Sequence, residues 1–177
     1  MMKTAIASLL LAIAASAFAQ SDDLINADRP GIADGSQTIG RGKFQIETGL
    51  ERDDSDGLRA LFTPTLLRYG VTDKFELRVE GNGWERDTFG GASTTGWNPF
   101  SIGAKYHFHD TPSLGIIARV FPKSGSGDFR SDAVTGDLRL AADMDLNEHW
   151  SINPNVGVAF EDDGGRFTAA LAALTVQ

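Results

Sequence analysis

The chain has 177 residues, with 16 Lys and Arg against 24 Asp and Glu, a formal net charge of −8, and no cysteine. That length fits one domain, and the acidic balance, with basic residues scattered singly, excludes a general nucleic-acid binder, which needs clustered Lys and Arg. Without thiols, disulfide frameworks, thiolate metal sites and cysteine nucleophiles are excluded together.

In chain order, the first element is MMKTAIASLLLAIAASAFAQ. Lys3 supplies a positive n-region, Ala5 to Ala15 an apolar run, and Ala17 and Ala19 an A-x-A cleavage site, so residues 1–19 read as a secretory signal peptide. The apolar run is shorter than the roughly 20 residues a spanning helix requires. Residues 20–42, with Pro30 and several glycines, lack a regular pattern and read as a periplasmic leader, ahead of a β-domain over 43–177.

From Phe44 onward the chain alternates apolar and polar residues with a period of two, as strands with two unlike faces do. FQIETGL sets Phe44, Ile46 and Leu50 against Gln45, Glu47 and Glu51, and FELRVEG sets Phe75, Leu77 and Val79 against Glu76, Arg78 and Glu80. FSIGAKYHF, DLRLAADMDL and WSINPNVGVAF repeat the pattern, with Ser101, Lys105 and His107, then Asp137, Arg139, Asp143 and Asp145, then Ser151, Asn153 and Asn155 on the polar sides. LFTPTLLRY, LGIIARVF and RFTAALAALTV are weaker strands, the first interrupted by Pro64.

The connections alternate in length. VTDK, HDTPS and LNEH are short, whereas DDSDG, GNGWERDTFGGASTTGWNP, PKSGSGDFRSDAVTG and EDDGG read as polar loops. Short turns at one end and long loops at the other describe an antiparallel up-and-down outer-membrane β-barrel of about eight strands. In that setting the apolar face meets lipid, the charged face lines the interior, and aromatic residues near strand ends, such as Phe44, Phe75, Phe108 and Trp150, form interfacial girdles. A soluble sandwich, with its apolar face as the core, is the competing arrangement.

The order of short motifs resembles a family of Gram-negative outer-membrane barrels named for a MetA pathway of phenol degradation. The resemblance rests on Asp28, Arg29, Pro30, Gly42, Gln45, Glu47 and Gly49 at the start, then Arg68, Gly70, Thr72, Glu76 and Arg78, then Gly103 and Lys105. FPKSGSGDF resembles a loop that usually reads Pro-Thr-Gly, altered here to Pro122, Lys123 and Ser124 before Gly125. It implies residence in the outer membrane of a Gram-negative bacterium, in contact with lipid and lipopolysaccharide, after handling by the barrel-assembly machinery. It also implies transport of small solutes, aromatic compounds among them, and further strands beyond Gln177. The chain is then either a truncated larger barrel or a small barrel of about eight strands.

The interior candidates form a mixed-sign set: Gln45, Glu47, Arg68, Glu76, Arg78, Glu80, Lys105, Arg119, Arg139 and Asp143. They would either select a solute or fill a narrow barrel with salt bridges, since eight strands leave an interior only wide enough for side chains. Asp28 and Arg29 are candidates for an inward tuck of the leader, with a solvated leader as the alternative.

No enzyme activity, metal or cofactor is expected. His107 and His109 share a strand face, with Asp110 next, but show no third convergent ligand, and Ser101 and His107 lie about 20 Å apart along a strand, too far for a nucleophile and its base. PKSGSGDF lacks the ending of a phosphate loop. The loop acids Asp53, Asp54, Asp56, Asp162 and Asp163 read as solvated. A structural or adhesive barrel, a lipid-modifying barrel enzyme and a soluble periplasmic β-domain are the competing functions.

Overall fold

A computed structural model describes residues 27–28 and 32–176. The expected signal peptide, Arg29, Pro30 and Gln177 lie outside the described residues. Among the described residues the fold is all-β, with one short 3-10 turn, Gly127–Phe129, and no helix long and apolar enough to cross a membrane.

Among the described residues twelve strands follow in chain order: β1 (Phe44–Thr48), β2 (Glu51–Ser55), β3 (Leu58–Phe62), β4 (Thr65–Gly70), β5 (Phe75–Gly81), β6 (Trp84–Phe89), β7 (Ala92–Trp97), β8 (Phe100–Asp110), β9 (Ser113–Phe121), β10 (Thr135–Asn147), β11 (Trp150–Asp162) and β12 (Arg166–Val176). They form an eight-stranded sheet in the order β1-β4-β5-β8-β9-β10-β11-β12 and a four-stranded sheet in the order β2-β3-β6-β7. Every pairing is antiparallel. The chain therefore makes eight up-and-down passes, the first four divided at a common level.

That division corrects the reading of DDSDG and GNGWERDTFGGASTTGWNP as loops. They are two ordered hairpins, because Asp56-Gly57 and Gly90-Gly91 all adopt positive φ, and two-residue turns of that kind match the right-handed twist of the strands they join. The breaks fall at Gly49-Leu50, Thr63-Pro64, Asn82-Gly83 and Asn98-Pro99, and at two of them, Pro64 and Pro99, proline cannot donate to the ladder. Single bonds still cross the breaks, from Gly49 N to Pro64 O at 3.2 Å and from Asn98 N to Gly83 O at 2.8 Å. Residues 122–134 remain a true loop, held to β7 where Ser126 Oγ accepts from Trp97 N at 2.9 Å and where a Cβ on Gly96 would meet the Phe129 ring.

The eight-stranded sheet is inverted relative to a soluble domain. Its outward side chains, among them Ile46, Ile102, Leu140, Val156 and Phe160, are exposed. The buried set holds seven hydrophobic residues, four of them alanine, against fifteen polar or charged ones. Among the described residues there is thus no apolar core for the sheet to enclose.

The sheet curls strongly. Strands β5 and β11 stand four pairings apart, about 19 Å along a flat sheet, yet Arg78 on β5 and Asn155 on β11 both bond to Asp34, at 2.7 and 3.0 Å. Only a sheet wrapped around residue 34 brings those side chains together. The wrap is not closed into a barrel, because among the described residues the edge strands β1 and β12 do not pair with one another.

Candidate functional site: a charged interior holding the leader

What the sheet wraps around is the chain's own leader, residues 27–28 and 32–41. The leader leaves the interior at the end carrying the short links, where Thr38 Oγ1 donates to Asp73 O at 2.6 Å and Arg41 N to Asp73 Oδ1 at 3.2 Å. Gly42 N then donates to Gly70 O at 2.7 Å, and Gly42 turns with φ +72 into β1. Two glycines of the sheet let the leader's backbone approach: a Cβ on Gly70 would fall 1.7 Å from Gly40 O, and one on Gly115 would fall 2.4 Å from Ser36 O.

Along this path the leader's polar groups meet the sheet's in pairs. Asp34 N donates to Asn155 Oδ1 at 3.0 Å while Asn155 Nδ2 donates back to Asp34 O at 2.9 Å. Ser36 gives both its N–H and its hydroxyl to Asp143 Oδ2, at 2.9 and 2.6 Å, and its hydroxyl shares a 2.6 Å bond with Ser113. Ile39 N donates to Glu76 Oε2 at 3.0 Å. An irregular segment buried in this way must find partners for its backbone groups, and here the strands' side chains supply several of them.

At the centre lies Asp28. Its Oδ2 accepts from Arg78 Nη1 at 2.6 Å and Lys105 Nζ at 2.7 Å, with Arg68 Nη1 at 3.6 Å, while its Oδ1 accepts from Gly35 N at 2.9 Å. Burial alone would push this carboxyl up. The charges of Lys105, Arg78 and Arg68 overcome that and hold it well below the usual carboxylate range.

Around this centre the charges alternate. Arg68 bonds Glu76 at 2.9 Å and Glu47 at 3.1 Å; Arg78 also reaches Asp34 at 2.7 Å and Glu80 at 3.2 Å. Arg119 grips Asp137 with two nitrogens, at 3.0 and 2.8 Å, and crosses to Glu80. Gly103 stands between those strands on the same face and leaves the room, since a Cβ there would fall 2.9 Å from Arg119 Cγ.

Of the ten interior candidates, Glu47, Arg68, Glu76, Arg78, Glu80, Lys105 and Arg119 are buried on the leader-facing side, and Gln45, Arg139 and Asp143 are half-buried there. Glu51 and Asp145, which share their parity, are exposed; Glu51 belongs to the four-stranded extension. Gly49 marks the break between β1 and β2. His107 bonds Asp110 at 2.9 Å and His109 bonds Pro112 O at 2.9 Å, so the two imidazoles take separate partners.

Sequence reasoning missed Asp34, Ser36, Gln37, Ser113, Asp137 and Asn155 as members of this network. Asp137 and Asn155 carried a signal, the parity of their strands. The leader residues carried none, because an irregular segment has no period to read.

A family model described as "Putative MetA-pathway of phenol degradation" matches residues 27–175 of the chain. No curated protein and no solved structure matches it.

Proposed function

Taking as premise that the chain belongs to the MetA-pathway phenol-degradation family, we propose that it is an outer-membrane β-barrel protein of a Gram-negative bacterium that admits small solutes, aromatic compounds among them, through a charged interior. The observation that carries this reading is the inversion of the sheet, with ion pairs inside and exposed aliphatic and aromatic side chains outside. Monomeric soluble proteins rarely expose apolar patches beyond a few hundred Å², whereas a lipid-facing barrel surface is apolar by necessity.

Strand lengths support the same setting. From β8 to β12 the sheet strands run 9 to 13 residues, and β1, β4 and β5, with 5 to 7, continue across their breaks into the extension; about 9–11 tilted residues cross a bilayer. The four-stranded extension carries Arg52, Asp54, Arg59, Arg86 and Asp87, a composition suited to water beyond the lipid on the outer side. The short links and the leader then face the periplasm, reached through a signal peptide over residues 1–19. Lipid and lipopolysaccharide are the surrounding partners, the barrel-assembly machinery the inserting one, and the role is non-enzymatic.

A second reading is a structural or adhesive barrel without transport, favoured by the leader's filling of the interior and by the outward-reaching hairpins. Planar-bilayer recordings and solute uptake into proteoliposomes separate the two. Conductance or uptake that requires the protein supports transport, and its absence from a folded, membrane-inserted sample leaves the structural reading.

A further inference from the structure

Lys105 is a fully buried ammonium on β8, and among the described residues both of its hydrogen-bond acceptors, Asp28 Oδ2 at 2.7 Å and Gln37 O at 3.2 Å, belong to the leader. Among the described residues the sheet itself offers it only Glu76, at 4.0 Å, and that carboxylate is already bonded by Arg68. Arg78 depends on the leader in the same way: two of its three carboxylate partners within 3.2 Å, Asp28 and Asp34, come from it. Arg68, by contrast, keeps Glu76 and Glu47 from the sheet.

A buried cation left without its partner is strongly unfavourable. Three cations converging on one oxygen are a seat for an anion, and the anion that fills it is delivered by a segment of chain that is not part of the sheet. Gly70 and Gly115 give the backbone of that segment room to lie directly against the sheet, at Gly40 and Ser36.

We propose that Lys105, Arg78 and Arg68 form a carboxylate-binding site for which the leader's Asp28 is the internal occupant, so that a small organic acid and Asp28 compete for one position. The inference rests on the reading of the interior as a solute site. It names the ligand class, a monocarboxylate, and makes the leader a ligand mimic that is displaced when the acid binds. The cations reward charge and paired oxygens, so an uncharged analogue of the same size gains nothing from them.

Benzoate and benzyl alcohol are the probes, with chloride at matched ionic strength as the control for general screening, applied to the full chain refolded in detergent. Replacing Asp28→Asn removes the internal competitor's charge. Calorimetry should then show benzoate binding on the order of tenfold tighter than to the unaltered protein, a gain equivalent to about 1.4 kcal/mol. Adding Lys105→Met to Asp28→Asn should erase the gain, and benzyl alcohol should show none in any variant.

A second measurement needs no change at the site. The chain has no cysteine, so a spin label on Ala27→Cys, at an exposed position beside Asp28, reports the leader alone. Benzoate should raise its mobility, and benzyl alcohol and chloride should not. Equal benzoate affinity with and without Asp28, or a label that responds equally to chloride, overturns the proposal. Because both readouts are taken in detergent, carboxylate binding without conductance would count against transport alone, and conductance without carboxylate binding against this inference alone.

Discussion

A Cβ on Gly115 would fall 2.4 Å from the carbonyl oxygen of Ser36, so the leader is seated in the sheet by the absence of a side chain. Gly115→Val should therefore unseat the leader locally while leaving the strand ladder of β8, β9 and β10 in place. The expected result is rapid proteolysis within residues 32–41 in a variant that still shows heat-modifiable migration. Overpacking of this kind costs about 1–3 kcal/mol, and a leader as protected as in the parent would refute the contact.

Arg78 is a different kind of dependence, because its neighbours would be left charged. Arg78→Ala removes a guanidinium that lies within 3.2 Å of Asp28, Asp34 and Glu80, leaving Asp28 to Lys105, Glu80 to Arg119 and Asp34 with Arg139 at 3.6 Å. Breaking a buried pair by removing one partner costs about 3–5 kcal/mol. Urea unfolding in detergent should show a loss of that size, whereas Arg52→Ala, in a pair more than half exposed, should leave the unfolding midpoint almost where it was, because solvent screens such a pair.

The pH response of the leader follows from Asp28. Its carboxyl is held below the usual range in the folded state, so its contribution is fully present above the unfolded value near about 4 and is lost as pH falls through the depressed folded value. Leader protection should thus stay level from neutral pH down to about 4 and decline only in stronger acid. In Asp28→Asn the Asp28-dependent part of that acid decline should be absent, which stopped proteolysis across a pH series would reveal.

The outward face gives the sharpest test of setting. Ile102 on β8 and Leu140 on β10 are exposed apolar residues in mid-strand. Toward lipid, Ile102→Arg or Leu140→Arg should cost about 2–4 kcal/mol of folding into the bilayer, seen as loss of the heat-modifiable form. On a soluble domain the same exposed substitutions would stay within about 0.5 kcal/mol.

The hairpin extension predicts where a protease reaches in whole cells. Arg59 and Arg86 lie in β3 and β6, beyond the strand breaks, and are exposed, whereas Arg68, Arg78 and Arg119 are buried among carboxylates. Trypsin added to intact cells should cut at Arg59 and Arg86 and spare the other three. Cleavage at Arg78 without cell lysis would be incompatible with the proposed orientation.

How much of this was legible beforehand varied by segment. Gln45, Glu47, Glu76, Arg78, Glu80 and Lys105 declared their common face through period-two alternation, because a strand fixes side-chain direction whatever surrounds it. The hairpins through Asp56-Gly57 and Gly90-Gly91 were hidden by their composition. Strands carrying Asp, Arg, Thr and Ser on both faces have no apolar alternation, and only the turn residues hinted at pairing.

By itself, then, the sequence determined the strand faces and the antiparallel passes of the sheet, since both are local consequences of side-chain period and turn chemistry. The family was also readable there, through motifs in a fixed order. Only the tertiary structure decided that the sheet curls around residues 27–28 and 32–41, and that Asp28 completes the charges of Lys105, Arg78 and Arg68. Those contacts join residues from 40 to 77 positions apart in the chain. Asp28 lies in a segment without periodicity, and nothing local in it marks which distant cations its one carboxylate will meet.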